Sequence, residues 1–464
     1  MPMRRLVALV LAVVAVAAAF SSNGTTESTT TTTGTAVESS AATPADDPEP
    51  TAVPEPTDDP EPTAVPEPTD DPEPTAVPGL ADDPGLTPAA EEVGLDEGPE
   101  LDAGVYDAPG GLELPLPLPE GAPGTIIDTE DITVGTAAGQ RILYNSTSSN
   151  GQNIAVSGFV AVPEGEVPDG GWPLIAWAHG TTGLGDSCAP SNNAENDVLT
   201  QALLSFGYAV VATDYEGLGT PGTHPYVVGV SEARSVLDSV RAVYALELPV
   251  TQEWIVFGHS QGGHAAMFTG QLQPTYAPEL NMIGVVAGAP PSQMDILGDS
   301  LIGGDFQGYL IMTAAGLVAA DDQLSLSSVF SEQALSLIDV VETGCTSEIF
   351  EAYNSLDYNE VSVVDDPFDL PDWGIAIRAN DTNLLPVQTP LLIIHGGEDE
   401  QIPVETSAML VTQLCAFAEQ GPTVRNVYEG QSHAGVLTTF AAVPDLLTWV
   451  EGRFAGEDAP DQCP

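Results

Sequence analysis

The pentapeptide Gly258-His259-Ser260-Gln261-Gly262 follows the apolar run Trp254-Ile255-Val256-Phe257 and precedes the helix-like segment that begins at His264. A serine between two glycines at this spacing marks a buried strand that turns sharply into a helix, the arrangement called a nucleophile elbow. So tight a turn strains the serine backbone and leaves no room for a Cβ two residues to either side. The Ser260 hydroxyl is thereby lifted clear of a sheet, where a histidine can reach it. The same pattern also arises by chance in a chain with 46 glycines. The preceding strand and the partners downstream therefore carry the argument.

A serine hydroxyl is a poor nucleophile near pH 7, so it needs a histidine to take its proton and an acid to fix that histidine's tautomer. The six histidines are at 179, 224, 259, 264, 395 and 433. His259 and His264 flank the elbow, and their side chains do not readily fold back onto Ser260. His433 lies in Glu429-Gly430-Gln431-Ser432-His433-Ala434-Gly435, between the last strand and the last helix, where a general base is expected. The acid comes from His395-Gly396-Gly397-Glu398-Asp399-Glu400-Gln401-Ile402-Pro403, a glycine turn after a buried strand. Asp399 fits the usual His-Gly-x-x-Asp-x-x-Ile/Val-Pro form of this turn, with Glu398 as the alternative. The chain order Ser260, Asp399, His433 is that of α/β-hydrolases. Two donors for a developing oxyanion are expected as well. One is the Gln261 backbone N–H. The other comes from His179-Gly180-Thr181-Thr182-Gly183, where Thr181 or Thr182 can add a hydroxyl.

Apolar runs at 154–162, 173–178, 208–213, 253–257, 282–287, 390–394 and 423–428 predict strands, and helical patterns at 198–206, 231–246, 261–272, 405–418 and 438–454 lie between or after them. Such alternation predicts an α/β fold, a mostly parallel sheet flanked by helices, with active residues at the carboxyl ends of the strands. Residues 292–386 break the rhythm with helical stretches at 309–320 and 332–341 and no clear strand, which predicts a helical cap or lid. The domain is expected over 120–464, long enough for one large core.

Residues 1–20 combine Arg4 and Arg5 with an apolar run ending in Ala17-Ala18-Ala19, the form of a cleaved signal peptide. Residues 21–110 are Ser/Thr-rich and then repeat a 12-residue unit that starts at Asp46-Asp47-Pro48-Glu49. Each unit has too little to bury, so an extended, charged spacer is expected rather than a solenoid. Its composition fits a stalk on the cell envelope and an idle linker equally well. No later segment is apolar and long enough to cross a bilayer, so a secreted protein is expected. Cys188, Cys345, Cys415 and Cys463 are too widely spaced for a metal or redox motif and fit two disulfides outside the cytoplasm. Of three connectivities, Cys188 with Cys345 and Cys415 with Cys463 is preferred.

The chain holds 68 acidic residues, 8 arginines and no lysine. Beyond residue 107, 46 acids face 6 arginines, a formal charge of −40. Phosphate binding needs a cationic surface, so nucleic acid is excluded as a partner. Self-repulsion on this scale points to a saline habitat. Asp214-Tyr215-Glu216-Gly217 offers two carboxylates, too few for a metal without a nearby imidazole or thiolate, and reads as a structural turn. No metal or organic cofactor is expected.

Taken together, Arg141-Ile142-Leu143-Tyr144, the Trp177 to Gly183 loop followed by Cys188-Ala189-Pro190-Ser191, Asp214 to Gly219, the elbow, the Asp399 turn and the His433 loop resemble the secretory lipase family of α/β-hydrolases. That group includes fungal type A lipases and actinobacterial esterases, and the likeness covers nearly all of 125–464. The resemblance implies hydrolysis of carboxylic esters, with the cap shaping an acyl tunnel. The expected partner is a small-molecule or lipid ester, with lipid-interface contact through the cap, and a monomer is expected. Fungal relatives place an aspartate in the oxyanion loop, whereas this chain has Thr181 and Thr182, with Asp186 further on. Two rival readings stand beside this one. A serine peptidase shares elbow and order, but the N-terminal region lacks a propeller's repeating strands. A non-catalytic surface-binding module would not need an intact Ser, Asp and His set.

Overall fold

The computed structural model describes residues 104–438 and 442–464. The expected signal peptide and nearly all of the expected spacer lie outside them. A short hairpin, β1 (Gly104–Asp107) with β2 (Glu113–Leu116), precedes the main sheet and begins inside the stretch read as spacer. It is held by Leu112 and Leu114, which pack against Leu143 and Ala155.

The remaining strands are β3 (Ile126–Val134), β4 (Ala137–Thr147), β5 (Asn153–Ala161), β6 (Trp172–Ala178), β7 (Ala209–Thr213), β8 (Val250–His259), β9 (Asn281–Gly288), β10 (Leu391–Gly396) and β11 (Thr423–Tyr428). They form one sheet in the order β11-β10-β9-β8-β6-β7-β5-β4-β3. From β7 to β11 all pairings are parallel, while β5, β4 and β3 add an antiparallel edge. The central strands read as unbroken apolar runs because both their faces are covered; β7 and β10 are buried along their whole length. Strand β3 has no such run. One of its sides is wet, and Asp128, Glu130 and Asp131 interrupt its apolar residues; in β4 the apolar run is only Ile142-Leu143-Tyr144, between Gln140-Arg141 and Asn145-Ser146, so the pattern of runs begins at residue 154.

Helices α1 (Val198–Ser205), α2 (Gly229–Ala245) and α3 (Gln261–Tyr276) follow β6, β7 and β8. The cap comprises α4 (Met294–Leu301), α5 (Gly308–Ala320), α6 (Glu332–Leu335), α7 (Ile338–Thr343), α8 (Thr346–Tyr353), α9 (Tyr358–Val361) and α10 (Pro371–Arg378). The single helix expected at 332–341 is two, α6 and α7, parted at Ser336 and Leu337. The chain then returns to the sheet with α11 (Val404–Leu414), α12 (Gly435–Thr438) and α13 (Ala442–Phe454).

Each layer has its own core. Side chains of α2, α3 and α11 pack with Trp254, Val256 and Val285 on one face of the sheet. Those of α1 and α13 pack with Ile255, Phe257 and Ile394 on the other. The cap buries Met312, Val341, Ile349 and Tyr353 among themselves and their neighbours. At about 1.5–3 kcal/mol for each fully buried large apolar side chain, the cap holds itself together as a unit. The cysteines pair Cys188–Cys345, joining the segment after β6 to the cap, and Cys415–Cys463, fastening the C-terminus to the end of α11.

Candidate active site

Strand β8 ends at His259 and α3 starts at Gln261, so Ser260 alone makes the turn, with φ 58° and ψ −123°. This is strained backbone for a residue with a Cβ. It is held in part by the Ser260 N–H, which donates to Gly288 O at 2.8 Å. The two glycines are required by crowding. A Cβ on Gly258 would lie 1.9 Å from Gly262 O, and one on Gly262 would lie 1.9 Å from Ala178 O.

Asp399 follows β10 and His433 follows β11, adjacent parallel strands, so their loops emerge side by side. The His433 Nδ1–H donates to Asp399 Oδ2 at 2.7 Å, and the His433 backbone N–H donates to Glu400 Oε2 at 3.0 Å. The other carboxylate oxygen, Oδ1, accepts the Gln401 and Ile402 backbone N–H groups at 2.9 Å each. Burial alone would raise the Asp399 pKa, but the donors from His395, His433 and Ile402 outweigh it and hold the carboxyl below the usual range. Glu398, the alternative acid, is exposed. With Nδ1–H committed to Asp399, His433 has Nε2 free as a base, and His433 and Ser260 line one cavity.

Gln261 is placed by a buried network beneath the elbow. Its side-chain amide donates to Glu232 Oε1 at 3.0 Å and to His224 Nε2 at 2.8 Å. The His224 Nδ1–H donates to Glu216 O at 2.8 Å, which leaves Nε2 as the acceptor. Burial pushes the His224 pKa down to about 4, in keeping with a neutral ring. Glu232 also faces His264 Nδ1 at 2.7 Å, and His264 Nε2 faces Asn380 O at the end of the cap. In the loop after β6, Thr181 Oγ1 lies 2.8 Å from the Tyr226 hydroxyl, whereas Thr182 Oγ1 is buried with no partner. The Thr182 carbonyl accepts the Thr346 N–H of the cap at 2.9 Å.

His259, which sequence order leaves as a mere flanking residue, packs its ring 4.6 Å from that of His433. Burial first, and then the neighbouring His433, push its pKa down to about 3. Asp214 accepts from Ser157 Oγ at 2.7 Å and from Ser191 N at 2.9 Å, with Ser191 Oγ also bonded. It ties the end of β7 to neighbouring chain as a structural turn does. Among the described residues no cluster of ligating side chains could hold a metal ion. Tyr226 and Glu232 carry no motif that marks them for the site, and His395, although it opens the acid-turn pattern, is not marked there as a partner of Asp399; the folded arrangement brings them together.

Ser260 sits where two cavities meet. The first runs under the cap between Met294, Leu297, Ala314, Leu317, Phe330 and Trp373. The second lies on the side of His433, Thr181 and α1. Ser260, Tyr309 and Gln401 border both.

Comparison with known proteins places this geometry. The model of the secretory lipase family matches residues 190–462. The secreted triacylglycerol lipase LIP4 of Malassezia globosa is 25% identical over 371 residues, 73% of this chain and 79% of that protein. Lipase 6 of Candida albicans is 25% identical over 306 residues, covering 60% and 65%. Among solved structures, Candida antarctica lipase A aligns with a TM-score of 0.64 at 21% identity, covering 74% of this chain and 84% of that one. The rice cell wall degrading esterase LipA from Xanthomonas oryzae aligns at 0.59 and 19%, covering 72% and 97%. The chain has the α/β-hydrolase fold and belongs to the secretory lipase family.

Proposed function

We propose that the protein is an exported hydrolase of carboxylic esters, acylglycerols or similar acyl esters, working through an acyl-enzyme. The observation that carries this reading is that His433, bonded through Nδ1 to Asp399 at 2.7 Å, lines one cavity with a strained Ser260. In the first step His433 Nε2 takes the Ser260 hydroxyl proton as Oγ attacks the ester carbonyl carbon. The tetrahedral oxyanion is held by the Gln261 N–H at the start of α3 and by a donor of the Thr181 loop. Asp399 stays ionised and stabilises the imidazolium. The same proton then passes from His433 to the alcohol oxygen as the C–O bond breaks. Water next attacks the acyl-enzyme, with His433 again taking and returning a proton.

The two cavities divide the substrate. A leaving alcohol must depart on the side from which His433 delivers its proton, which assigns it to the second cavity. The acyl chain then occupies the apolar cavity under the cap, where its methylenes leave water at about 0.8 kcal/mol each. Export is supported by the signal-like residues 1–20 and by secreted relatives. No helix of the described residues is long and apolar enough to cross a membrane.

The test is hydrolysis of p-nitrophenyl esters from acetyl to palmitoyl by the oxidised protein and by Ser260→Ala. Turnover that vanishes in the variant supports the serine mechanism. A folded wild type inactive at every chain length would overturn the reading.

A further inference from the structure

Two imidazoles converge on one oxygen of Asp399. His433 Nδ1 lies 2.7 Å from Oδ2, and His395 Nε2 lies 3.2 Å from the same atom. The His395 and Asp399 side chains are both fully buried. We infer that His395 is a positioning residue: by competing for Oδ2 it restrains how strongly Asp399 holds the His433 imidazolium. This inference rests on the triad reading above.

The proton on His395 follows from its neighbours. Nε2 faces two acceptors, Ile402 O at 3.1 Å and Asp399 Oδ2, so Nε2 carries hydrogen. Nδ1 faces Ser407 Oγ at 2.8 Å. That hydroxyl accepts the Arg425 Nε–H at 2.8 Å, while Arg425 Nη2 donates to Val404 O at 2.7 Å. The Ser407 hydroxyl also lies 3.0 Å from Val404 O, but that carbonyl already accepts from Arg425, whereas the bare Nδ1 lone pair of His395 has the shorter contact to Ser407 and takes its proton. A chain of donors thus runs from Arg425 on β11 through Ser407 on α11 and His395 on β10 to Asp399. Polarisation along such a chain strengthens its last donor. Its effect is to draw electron density from Oδ2, where His433 also binds.

The charged and titratable surroundings come from several elements. Glu405 of α11 faces Arg425, Glu400 accepts the His433 backbone N–H, the His259 ring lies against His433, and Tyr309 of the cap feels the charges of Asp399 and Glu400. None of these groups shares Oδ2 with His433; among the described residues His395 is the side chain that does.

If His395 competes in this way, removing its Nε2 donor strengthens Asp399 as a partner of the imidazolium and makes His433 more basic. The acid limb of kcat/KM reports the free enzyme's base. In His395→Leu that limb should therefore move up by about half a pH unit or more. His395→Leu also strands Ser407, so His395→Asn serves beside it. Its amide matches the Nδ1 position and keeps a partner for Ser407, but it does not reach Asp399. His395→Gln, whose amide matches the Nε2 position, should return the limb to its wild-type place. A purely structural role would lower yield, melting temperature or kcat and leave the limb where it was. That outcome in a folded, active His395→Asn overturns the inference. Asp399→Asn is the separate control: if it keeps wild-type turnover, the triad reading itself fails.

Discussion

Cys188 is disulfide-bonded to Cys345 across 157 residues of sequence. The bond brings the cap segment 344–346 alongside the loop after β6, the proposed source of an oxyanion donor. There the Thr346 N–H donates to Thr182 O at 2.9 Å and the Leu184 N–H donates to Gly344 O at 3.3 Å. Gly183, at φ 126°, permits this approach, since a Cβ there would lie 2.5 Å from the Cys345 Cα. Replacing both cysteines by serine should cost about 2–5 kcal/mol of stability and should lower kcat as well, because the loop loses its backing. The other pair, Cys415–Cys463, ties down only the C-terminus. Its removal should lower the melting temperature and leave kcat unchanged. Melting curves and kcat for both double variants check this; equal kcat losses would count against the loop argument.

The hydroxyl pair Thr181 and Tyr226 should act in the oxyanion step. A phenol is the better donor and an aliphatic hydroxyl the better acceptor, so Tyr226 donates to Thr181 Oγ1, whose own proton is left for the oxyanion. Burial holds the Tyr226 phenol well above its ordinary pKa, so that proton stays in place. Loss of one oxyanion donor costs about 10²–10³ in kcat, the range expected for Thr181→Val, with KM little changed and Thr181→Ser largely active. Tyr226→Phe should fall between wild type and Thr181→Val. Steady-state kinetics on one soluble ester decides it, and full activity in Thr181→Val would move the donor role elsewhere.

Much of this site is legible in the chain because its chemistry depends on local patterns. The elbow needs glycines at 258 and 262 for want of space, the acid turn needs a glycine before Asp399, and His433 needs a loop after the last strand. Each leaves a trace within about ten residues. The supporting contacts leave less. Glu232 lies in the first turn of α2, where a buried acid looks like any other until its partner is seen, and the pattern that contains His395 locates Asp399 without showing that the two side chains meet. The strand pattern fails in a similar way at β3, whose wet side breaks the apolar run. The cap is readable as helical, but its apolar cavity is a property of how seven short helices pack.

Stability should fall in mild acid in a way that buried histidines dictate. His224 and His259 are held neutral by burial, with pKa values near 4 and near 3, against about 6.5 for an unfolded histidine. Below pH 6.5 the unfolded chain takes up these protons and the folded chain does not. Folding therefore weakens as the pH drops toward 4, by about 1.4 kcal/mol per unit for each such group. Asp399 adds its own loss only below about pH 4, the unfolded carboxylate range, because its folded pKa is depressed. Urea unfolding at a series of pH values should show a shallower slope between 6.5 and 4 for His224→Asn than for wild type. Parallel slopes would contradict the assignment.

Acyl length should be set by the depth of the cavity under the cap. Ala314 lines it midway along α5. Ala314→Trp should reduce hydrolysis of p-nitrophenyl palmitate at least tenfold while leaving the butyrate ester within a factor of two or three, since a blocked tunnel forfeits the methylenes beyond it, at about 0.8 kcal/mol apiece. Equal losses on both esters would mean that the acyl chain lies elsewhere, and the second cavity, with its α1 wall, would be the place to look.

The charge imbalance also has a structural side. The six arginines of the folded part are all engaged: Arg141 with Glu130 and Glu195, Arg241 with Asp238 and Glu279, Arg378 with Asp295, Arg234 against Tyr276, Arg425 with Ser407, and Arg453 with the Asp458 carbonyl. Most of the 46 acids beyond residue 107 therefore face one another across water. At 0.01 M salt the Debye length is about 30 Å, and at 1 M about 3 Å. Added salt thus removes most of this repulsion while leaving the buried or half-buried pairs of Arg141 and Arg241 largely intact. The melting temperature should rise steadily from 10 mM to 1 M NaCl. A protein most stable in dilute buffer would mean that local ion pairs, rather than net repulsion, dominate its electrostatics.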